Sequence, residues 1–198
     1  MRFVLATHNA HKVAEFDQIL ASALPGVSVL GYDGPEPVES GVSFVENAFI
    51  KARVAAEHTG LPSLADDSGL CVNVLSGMPG IFSSRWSGEG ATDSRNVELL
   101  LAQLADVPDE YRAAQFRCVI AVVIPATASS PARELSVEGV WPGHIARAPE
   151  GTNGFGYDPI FVPEGFDVSA ASLNPEEKND LSHRARAIRE LAQVLADD

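Results

Sequence analysis

Cysteine, positive charge and long apolar runs are all scarce in this sequence of 198 residues. Each of the two cysteines, Cys71 and Cys118, lies in an apolar segment, so we expect buried thiols in a reducing compartment and no disulfide framework. The longest apolar run, Cys118 to Ile124, is far shorter than the roughly 20 residues that span a bilayer. The beginning of the sequence soon turns polar, so we expect no secretory signal and a cytoplasmic protein.

The formal net charge is −13, from 14 basic and 27 acidic side chains. This balance argues against general binding of nucleic acid or anionic membranes, although a small anion in a locally basic pocket remains compatible with it. Arginine dominates the basic residues, and the only lysines are Lys12, Lys51 and Lys178. Because ammonium is a compact charge suited to phosphate, these positions indicate phosphate contacts, with chance placement as the alternative.

Strand-like and helix-like segments alternate along the first half of the chain. A buried strand at 3–6 precedes a helix with apolar residues at helical spacing, and Ser43 and Glu46 form a capping box for a second helix that ends at Gly60. Antiparallel-looking strands follow at 115–125 and 133–141. These patterns predict an α/β fold with a mixed sheet and one domain over residues 1–198.

The segment LADDSGL, at residues 64–70, places two aspartates inside an otherwise apolar run. We expect strand, turn and strand here, with Asp66 and Asp67 either in a solvated turn or beside a cation that offsets their repulsion. With Glu39 they form an acidic group of hard oxygen ligands that suits Mg²⁺. Ser68 is either a nucleophile or, without a GxSxG elbow around it, a hydrogen-bonding residue of the turn.

The polar loop from Thr7 to Lys12 joins a predicted strand to a predicted helix, where backbone N–H groups and the helix dipole favour an anion. It lacks the P-loop pattern, so a phosphate site and a plain loop both remain open. His8 and His11 permit a zinc site or ordinary surface polarity.

Glycines flank an aromatic side chain in the segment NGFGYD, at residues 153–158. A flat ring could approach the backbone there and stack on Phe155, or the segment could be a glycine-rich turn with core aromatics. Lys178, His183 and Arg184 lie near the start of the last predicted helix, where basic residues oppose the dipole preference and so hint at a function.

Five short motifs occur in an order that resembles the inosine/xanthosine triphosphate pyrophosphatases, the Ham1-like family: T-x-N-x-x-K, F-x-E-N-A, A-D-D-S-G-L, G-F-G-Y-D-P-I-F and E-K-N-x-x-S-H-R. They extend from residue 7 to residue 184. The resemblance implies an elongated two-lobed α/β fold around a mixed sheet, with the active site in a cleft. It also implies a homodimer that removes noncanonical purine nucleotides with the help of Mg²⁺.

The resemblance also assigns roles by position. It implies that Asp67 is the catalytic base, and that Glu39, Asp66 and Asp67 hold the metal. Substrate binding is assigned to three groups: the loop Thr7, His8, Asn9, Ala10, His11 and Lys12 with Lys51 at the triphosphate, Ser68 beside the metal, and Phe155, Gly156, Tyr157, Asp158, Lys178, His183 and Arg184 at the nucleoside. His8 and His11 depart from the family's usual small or basic residues.

The implied reaction is hydrolysis of ITP, dITP or XTP to the monophosphate and pyrophosphate, with a water aligned by Asp67 attacking the α-phosphorus. Arg184 would read the 6-oxo group of the base. One alternative is a related pyrophosphatase that acts on pyrimidine or modified nucleotides. Another is a catalytically silent nucleotide-binding protein, which the paired aspartates disfavour.

Overall fold

The computed structural model describes residues 1–197. Within them the chain forms six strands and five α-helices, in the order β1 (Arg2–Leu5), α1 (Ala10–Ala23), β2 (Ser28–Leu30), α2 (Phe44–Thr59), β3 (Ser63–Val72), α3 (Asp93–Gln103), β4 (Ala113–Ile124), β5 (Arg133–Ile145), β6 (Phe161–Pro163), α4 (Pro175–Leu181) and α5 (His183–Ala196). The predicted α/β class is confirmed.

The strands hydrogen-bond in the order β2-β1-β3-β4-β5-β6. β1 runs parallel to β2 and to β3, whereas β5 and β6 are antiparallel. The sheet is therefore mixed, as the sequence predicts. The parallel part is formed by the first half of the chain, where strands alternate with helices.

The chain divides into two compact units. The first unit comprises Met1–Asp67, Cys118–Gly139 and the C-terminal stretch from Arg184, and the second comprises Ser68–Arg117 and Val140–His183. Each unit has its own buried apolar cluster. That of the first unit includes Phe3, Leu5, Phe16, Leu20, Leu64, Ile120, Ile188 and Leu191, and that of the second includes Leu70, Val97, Leu100, Phe116, Trp141, Ile160 and Phe161. The single-domain assignment stays a prediction.

Local capping signals set the helix boundaries in the first unit. Asn9 Oδ1 accepts the backbone N–H groups of His11 and Lys12 at the start of α1. At α2, Ser43 Oγ accepts Glu46 N, and Glu46 Oε2 reaches back to accept Val42 N. α2 ends at Gly60, whose φ of +66° is the left-handed conformation that glycine adopts without strain. The predicted capping box and helix end are confirmed.

The predicted turn at LADDSGL is wrong, because Ser63–Val72 is one continuous strand. Asp66 and Asp67 are successive residues of β3, so their side chains leave the strand on opposite sides. This alternation separates the two carboxylates without a turn. Their burial is made possible by lysines from two different helices, which the local composition does not reveal.

None of the helices in residues 1–197 combines the length and apolar character needed to cross a membrane.

Candidate active site

The residues assigned to the site fall into two groups, one in each unit. The first unit holds the loop Thr7–Lys12 with Glu39, Lys51, Asp66, Asp67 and Arg184, and the second holds Ser68, Phe155–Asp158, Lys178 and His183.

Asp66 is the most buried of the carboxylates in the first group, with 3% of its side chain exposed. Lys12 Nζ, from α1, donates to both of its oxygens at 2.9 and 3.1 Å. The guanidinium of Arg184, from α5, lies 3.4 Å from Asp66 Oδ2 and also 3.3 Å from Glu15 Oε2. Asp66 therefore connects the first and last helices of the chain through two cations.

Lys51, on α2, brings the other two carboxylates together. Its Nζ lies 2.9 Å from Glu39 Oε1 and 3.2 Å from Asp67 Oδ1. Burial acts to lower the pKa of Lys51, but Asp67 and Glu39 outweigh it and raise the pKa. Lys51 is thus held as a cation beside Asp67.

The pKa values of the two adjacent aspartates are shifted in opposite directions. Burial acts to raise the pKa of Asp66, but the charges of Lys12 and Arg184 outweigh it and hold the pKa well below its usual range. For Asp67, burial prevails: it raises the pKa even though Lys51 acts to lower it, and Glu39 adds to the rise. A fixed anion and a more basic carboxylate therefore sit next to each other, an arrangement that separates a structural role from a proton-accepting one.

The two oxygens of Asp67 differ in their hydrogen bonding. Its Oδ2 is buried, and within residues 1–197 it has no hydrogen bond of standard geometry. The nearby amide of Asn47 acts to lower the pKa of Asp67, yet Asn47 Nδ2 also lacks such a bond. Because buried carboxylate oxygens are nearly always bonded, an oxygen in this state is suited to a ligand that the protein itself does not supply.

A pocket of about 240 Å³ lies beside these ion pairs. We call it the lysine pocket; it is lined by Ala6, Thr7, Lys12, Tyr32, Pro35, Glu36, Pro37, Glu39, Lys51 and Asp66. His8, from the Thr7–Lys12 loop, contacts the wall of the pocket. The two ring nitrogens of His8 lie 3.1 Å from Glu36 Oε1 and 3.1 Å from Gly34 O, and the His8 ring stacks on Tyr32. Two lysines and three carboxylates thus face one small polar cavity.

The described residues contain no group of three or more His, Cys, Asp or Glu side chains arranged to hold a metal ion. The zinc alternative for His8 and His11 therefore has no support in residues 1–197. Mg²⁺ needs fewer protein ligands, because it retains waters and shares its coordination with substrate phosphates. Asp67 Oδ2, which lacks a hydrogen bond of standard geometry, and the neighbouring Glu39 fit such an ion, and the role of Asp66 as a third ligand stays a prediction.

In the second unit, the 153–158 loop presents an aromatic ring to solvent. Phe155 is 68% exposed, and Lys178 Nζ lies 5.3 Å from its ring centroid. Lys178 Nζ also pairs with Asp158 Oδ2 at 2.5 Å, and the same oxygen accepts Phe155 N. A side chain at Gly154, whose φ is +77°, would collide with Asp158, so glycine is required there. The loop therefore holds an open ring face beside a cation.

The second group also contains Tyr157, His183 and Ser68. Tyr157 is buried and donates its hydroxyl to Ser83 O at 2.8 Å, and burial together with Asp93 raises its pKa. His183 stacks on Phe116, with ring centroids 4.9 Å apart. Ser68 lies in β3 and is half-buried, and the choice between nucleophile and hydrogen-bonding residue stays open.

Comparison with known proteins identifies the family. A model described as the Ham1 family matches residues 3–194. The chain belongs to the Ham1 family. It is 56% identical to the dITP/XTP pyrophosphatase of Leifsonia xyli subsp. xyli over 195 residues, which cover 98% of this chain and 96% of that protein. It is 48% identical to the dITP/XTP pyrophosphatase of Escherichia coli O157:H7, with 98% of each protein covered.

Solved structures of Ham1 proteins have the same fold. A HAM1 protein from Coxiella burnetii aligns with a TM-score of 0.89 at 44% identity, covering 100% of both chains. The Staphylococcus aureus Ham1 protein aligns with a TM-score of 0.85 at 36% identity, covering 100% of this chain and 99% of its own. The resemblance read from the five motifs is thus confirmed.

Several residues of this Ham1 chain were not singled out in the sequence. Tyr32 and the segment 35–37 line the lysine pocket, and Glu15 pairs with Arg184. The signal available for the pocket wall was the Pro/Gly-rich irregular segment after β2. Glu15 had no signal, because its partner lies 169 residues further along the chain.

Proposed function

We propose that the protein hydrolyses noncanonical purine nucleoside triphosphates (ITP, dITP and XTP) to the monophosphate and pyrophosphate. The observation that carries this proposal is the lysine pocket, where Lys12, in the first turn of α1, pairs with Asp66 and Lys51, in α2, pairs with Glu39. The names of the relatives, dITP/XTP pyrophosphatases at up to 56% identity, supply the substrate class.

The triphosphate is bound by point charges and by backbone donors. Lys12 and Lys51 attract its oxygens, and the first turn of α1 adds the positive end of the helix dipole. Each lysine is held by a carboxylate in the free protein. The cations are therefore already positioned when the substrate arrives, and little side-chain entropy is lost on binding.

Asp67 accepts the proton of the attacking water. Its raised pKa makes it a better base than an exposed carboxylate. The new bond joins the water oxygen to the α-phosphorus, and the bond from the α-phosphorus to the bridging oxygen breaks. Pyrophosphate takes the electron pair of that bond, and the lysines offset the charge that it gains.

A bound Mg²⁺ would supply further charge neutralisation at the phosphates. Asp67 and Glu39 would hold it, with Asp66 as the third carboxylate of the proposed set. We also propose a homodimer, from the resemblance, and a location in the cytoplasm, from the composition.

On the nucleoside side, the open ring of Phe155 would stack on the base, with Gly156, Tyr157, Asp158 and Lys178 shaping its surroundings. His183 and Arg184 complete the proposed contacts. Arg184 already engages Asp66 and Glu15, so its reading of the 6-oxo group requires donors beyond those two contacts.

A pyrophosphate-release assay over a nucleotide panel tests the proposal. We expect kcat/KM for ITP, dITP and XTP to exceed that for ATP by about tenfold to a hundredfold, because an amino group at position 6 leaves a donor facing a donor. Higher activity on CTP or UTP would favour the pyrimidine alternative. Nucleotide binding without pyrophosphate release, with Mg²⁺ present, would favour the silent binding protein.

Lys51→Met provides a prediction on pH dependence. Lys51 stabilises the ionised form of Asp67, so its removal raises the pKa of Asp67 further. The base must be ionised, so activity falls as the pH drops through that pKa, and we expect the acid limb of the kcat profile to move to higher pH. kcat/KM should also fall by about tenfold to a hundredfold through the lost phosphate contact.

Arg53→Met is the matched control for Lys51→Met. Arg53 lies on the same helix and pairs with Glu134, an exposed carboxylate outside the site. The acid limb of the kcat profile of Arg53→Met should coincide with that of the wild type. An unmoved acid limb in Lys51→Met would contradict the role of Asp67 as the base.

A further inference from the structure

The 153–158 loop is anchored to α3 by a carboxylate that no motif includes. Asp93, the first residue of α3, accepts the backbone N–H of Gly156 through Oδ2 at 2.7 Å. Gly156 has a φ of +61°, so its N–H direction is set by a backbone conformation that only glycine adopts readily. A charge-assisted bond to that N–H therefore fixes the middle of the loop, directly after Phe155.

The next residue is fixed to the same part of the unit. The Tyr157 hydroxyl donates to Ser83 O, and the amide of Asn96 donates to the same carbonyl at 3.3 Å. Asn96 is buried and lies one turn after Asp93 in α3. α3 thus bonds Gly156 directly through Asp93 and is linked to Tyr157 through the Ser83 carbonyl, which accepts from both Asn96 and Tyr157.

Phe155 differs from its neighbours because it is exposed while the residues after it are held. Its own N–H is taken by Asp158. An aromatic ring on a fixed backbone loses little conformational freedom when a flat ligand stacks on it. The exposed ring is thus preorganised by contacts that it does not itself make.

The N-terminal position of Asp93 alone does not account for this contact. An acidic residue in the first turn of a helix favours the dipole wherever its carboxylate points. In α3 the capping position is already filled by Thr92, whose hydroxyl accepts Arg95 N. Asp93 instead reaches a residue 63 positions further along the chain.

We propose that Asp93 is a positioning residue for nucleoside binding: by holding Gly156 N–H it sets the Phe155 ring in the orientation that receives the base. This inference rests on the proposed function, and specifically on the nucleoside-binding role of the 153–158 loop. Asp93 contacts neither the phosphates nor the reacting water in this role, so its effect belongs to binding of the base side of the substrate.

The test compares Asp93→Ala, which removes the acceptor, with Asp93→Asn, whose side-chain carbonyl still accepts an N–H. We expect Asp93→Ala to raise KM for ITP about tenfold with kcat within about twofold of wild type. Asp93→Asn should restore most of the loss. Glu98→Ala is the matched control, because it removes an exposed carboxylate from the same helix that bonds only locally to Ser94.

Two inhibitors separate positioning from general damage. Inosine monophosphate carries the base, whereas inorganic tripolyphosphate carries only the phosphates. In Asp93→Ala the inhibition constant for inosine monophosphate should rise about tenfold, and that for tripolyphosphate should not change. Equal losses for both inhibitors, or an Asp93→Asn variant as impaired as Asp93→Ala, would overturn the inference.

Amide hydrogen exchange of the peptide that contains residues 150–158 provides a readout independent of turnover. We expect faster exchange in Asp93→Ala and wild-type exchange in Glu98→Ala. Faster exchange with an unchanged KM would overturn the inference while leaving the proposed function intact. A wild-type protein that releases no pyrophosphate from ITP would overturn the proposed function. If inosine monophosphate then also failed to protect this peptide from exchange, the inference would fall with it.

Discussion

The Asp67→Asn variant is expected to lose about a hundredfold to ten-thousandfold in kcat for ITP and to remain folded. The amide cannot accept the proton of the attacking water, although it occupies nearly the same space. In the folded protein the pKa of Asp67 is raised by burial, so the ionised carboxylate costs stability at pH 7. Without added metal, thermal unfolding of the variant should therefore occur at no lower temperature than that of the wild type.

Two measurements together decide this prediction: steady-state kinetics with pyrophosphate detection, and a thermal unfolding curve in a chelating buffer. A variant that retains more than a few per cent of kcat would remove Asp67 from its central role. A variant that is inactive and also unfolds at a much lower temperature would show instead that Asp67 supports the fold.

Substitution of the neighbouring aspartate, Asp66→Ala, is expected to destabilise the fold, whereas Asp67→Asn is expected to leave it intact. We expect Asp66→Ala to lose about 3–5 kcal/mol in the free energy of unfolding at pH 7. Asp66 is buried and receives both Lys12 and Arg184, so its removal leaves these two cations without their shared carboxylate. The pKa of Asp66 is lowered in the folded protein, so its contribution is present at neutral pH. The contribution declines as the pH falls below the ordinary value of 3.8.

Chemical denaturation at pH 7 and at progressively lower pH measures this effect, and the difference from wild type should shrink in acid. Glu134→Ala is the comparison, since it removes an exposed carboxylate from its ion pair with Arg53. We expect a loss below about 1 kcal/mol for that variant. Equal losses for the two variants would mean that burial of the Asp66 ion pairs adds nothing to stability.

Local signals in the sequence predict much of the fold. The apolar spacing along α1, the capping residue Ser43 and the left-handed Gly60 each act within a few residues, and each is confirmed by the structure. The mixed sheet also follows, because an alternation of strands and helices implies parallel pairing and consecutive strands imply antiparallel pairing.

The error at β3 shows where local signals fail. Asp, Ser and Gly are turn formers, so LADDSGL has the composition of a turn. Its extended conformation is supported by residues far away in the sequence: Lys12 lies 54 positions before Asp66, and Lys51 lies 16 positions before Asp67. Such pairings depend on tertiary structure, which overrides local propensity.

The same limit applies to the site. The motifs name the participating residue types, but they do not say which lysine faces which aspartate, nor that the two aspartates have opposite pKa shifts. The contact between Asp93 and Gly156 is equally invisible, because neither its spacing nor its composition marks it. These features follow only from the folded geometry.

The scarcity of lysine has a consequence for chemical labelling of the protein. Lys12, Lys51 and Lys178 are each paired with a carboxylate of the predicted site: Asp66, Glu39 and Asp158. Acylation would neutralise the ammonium group and add bulk at that position, so amine-reactive dyes and lysine-coupled surfaces would react with lysines that belong to the predicted site. Immobilisation through an added affinity tag leaves all three ammonium groups intact.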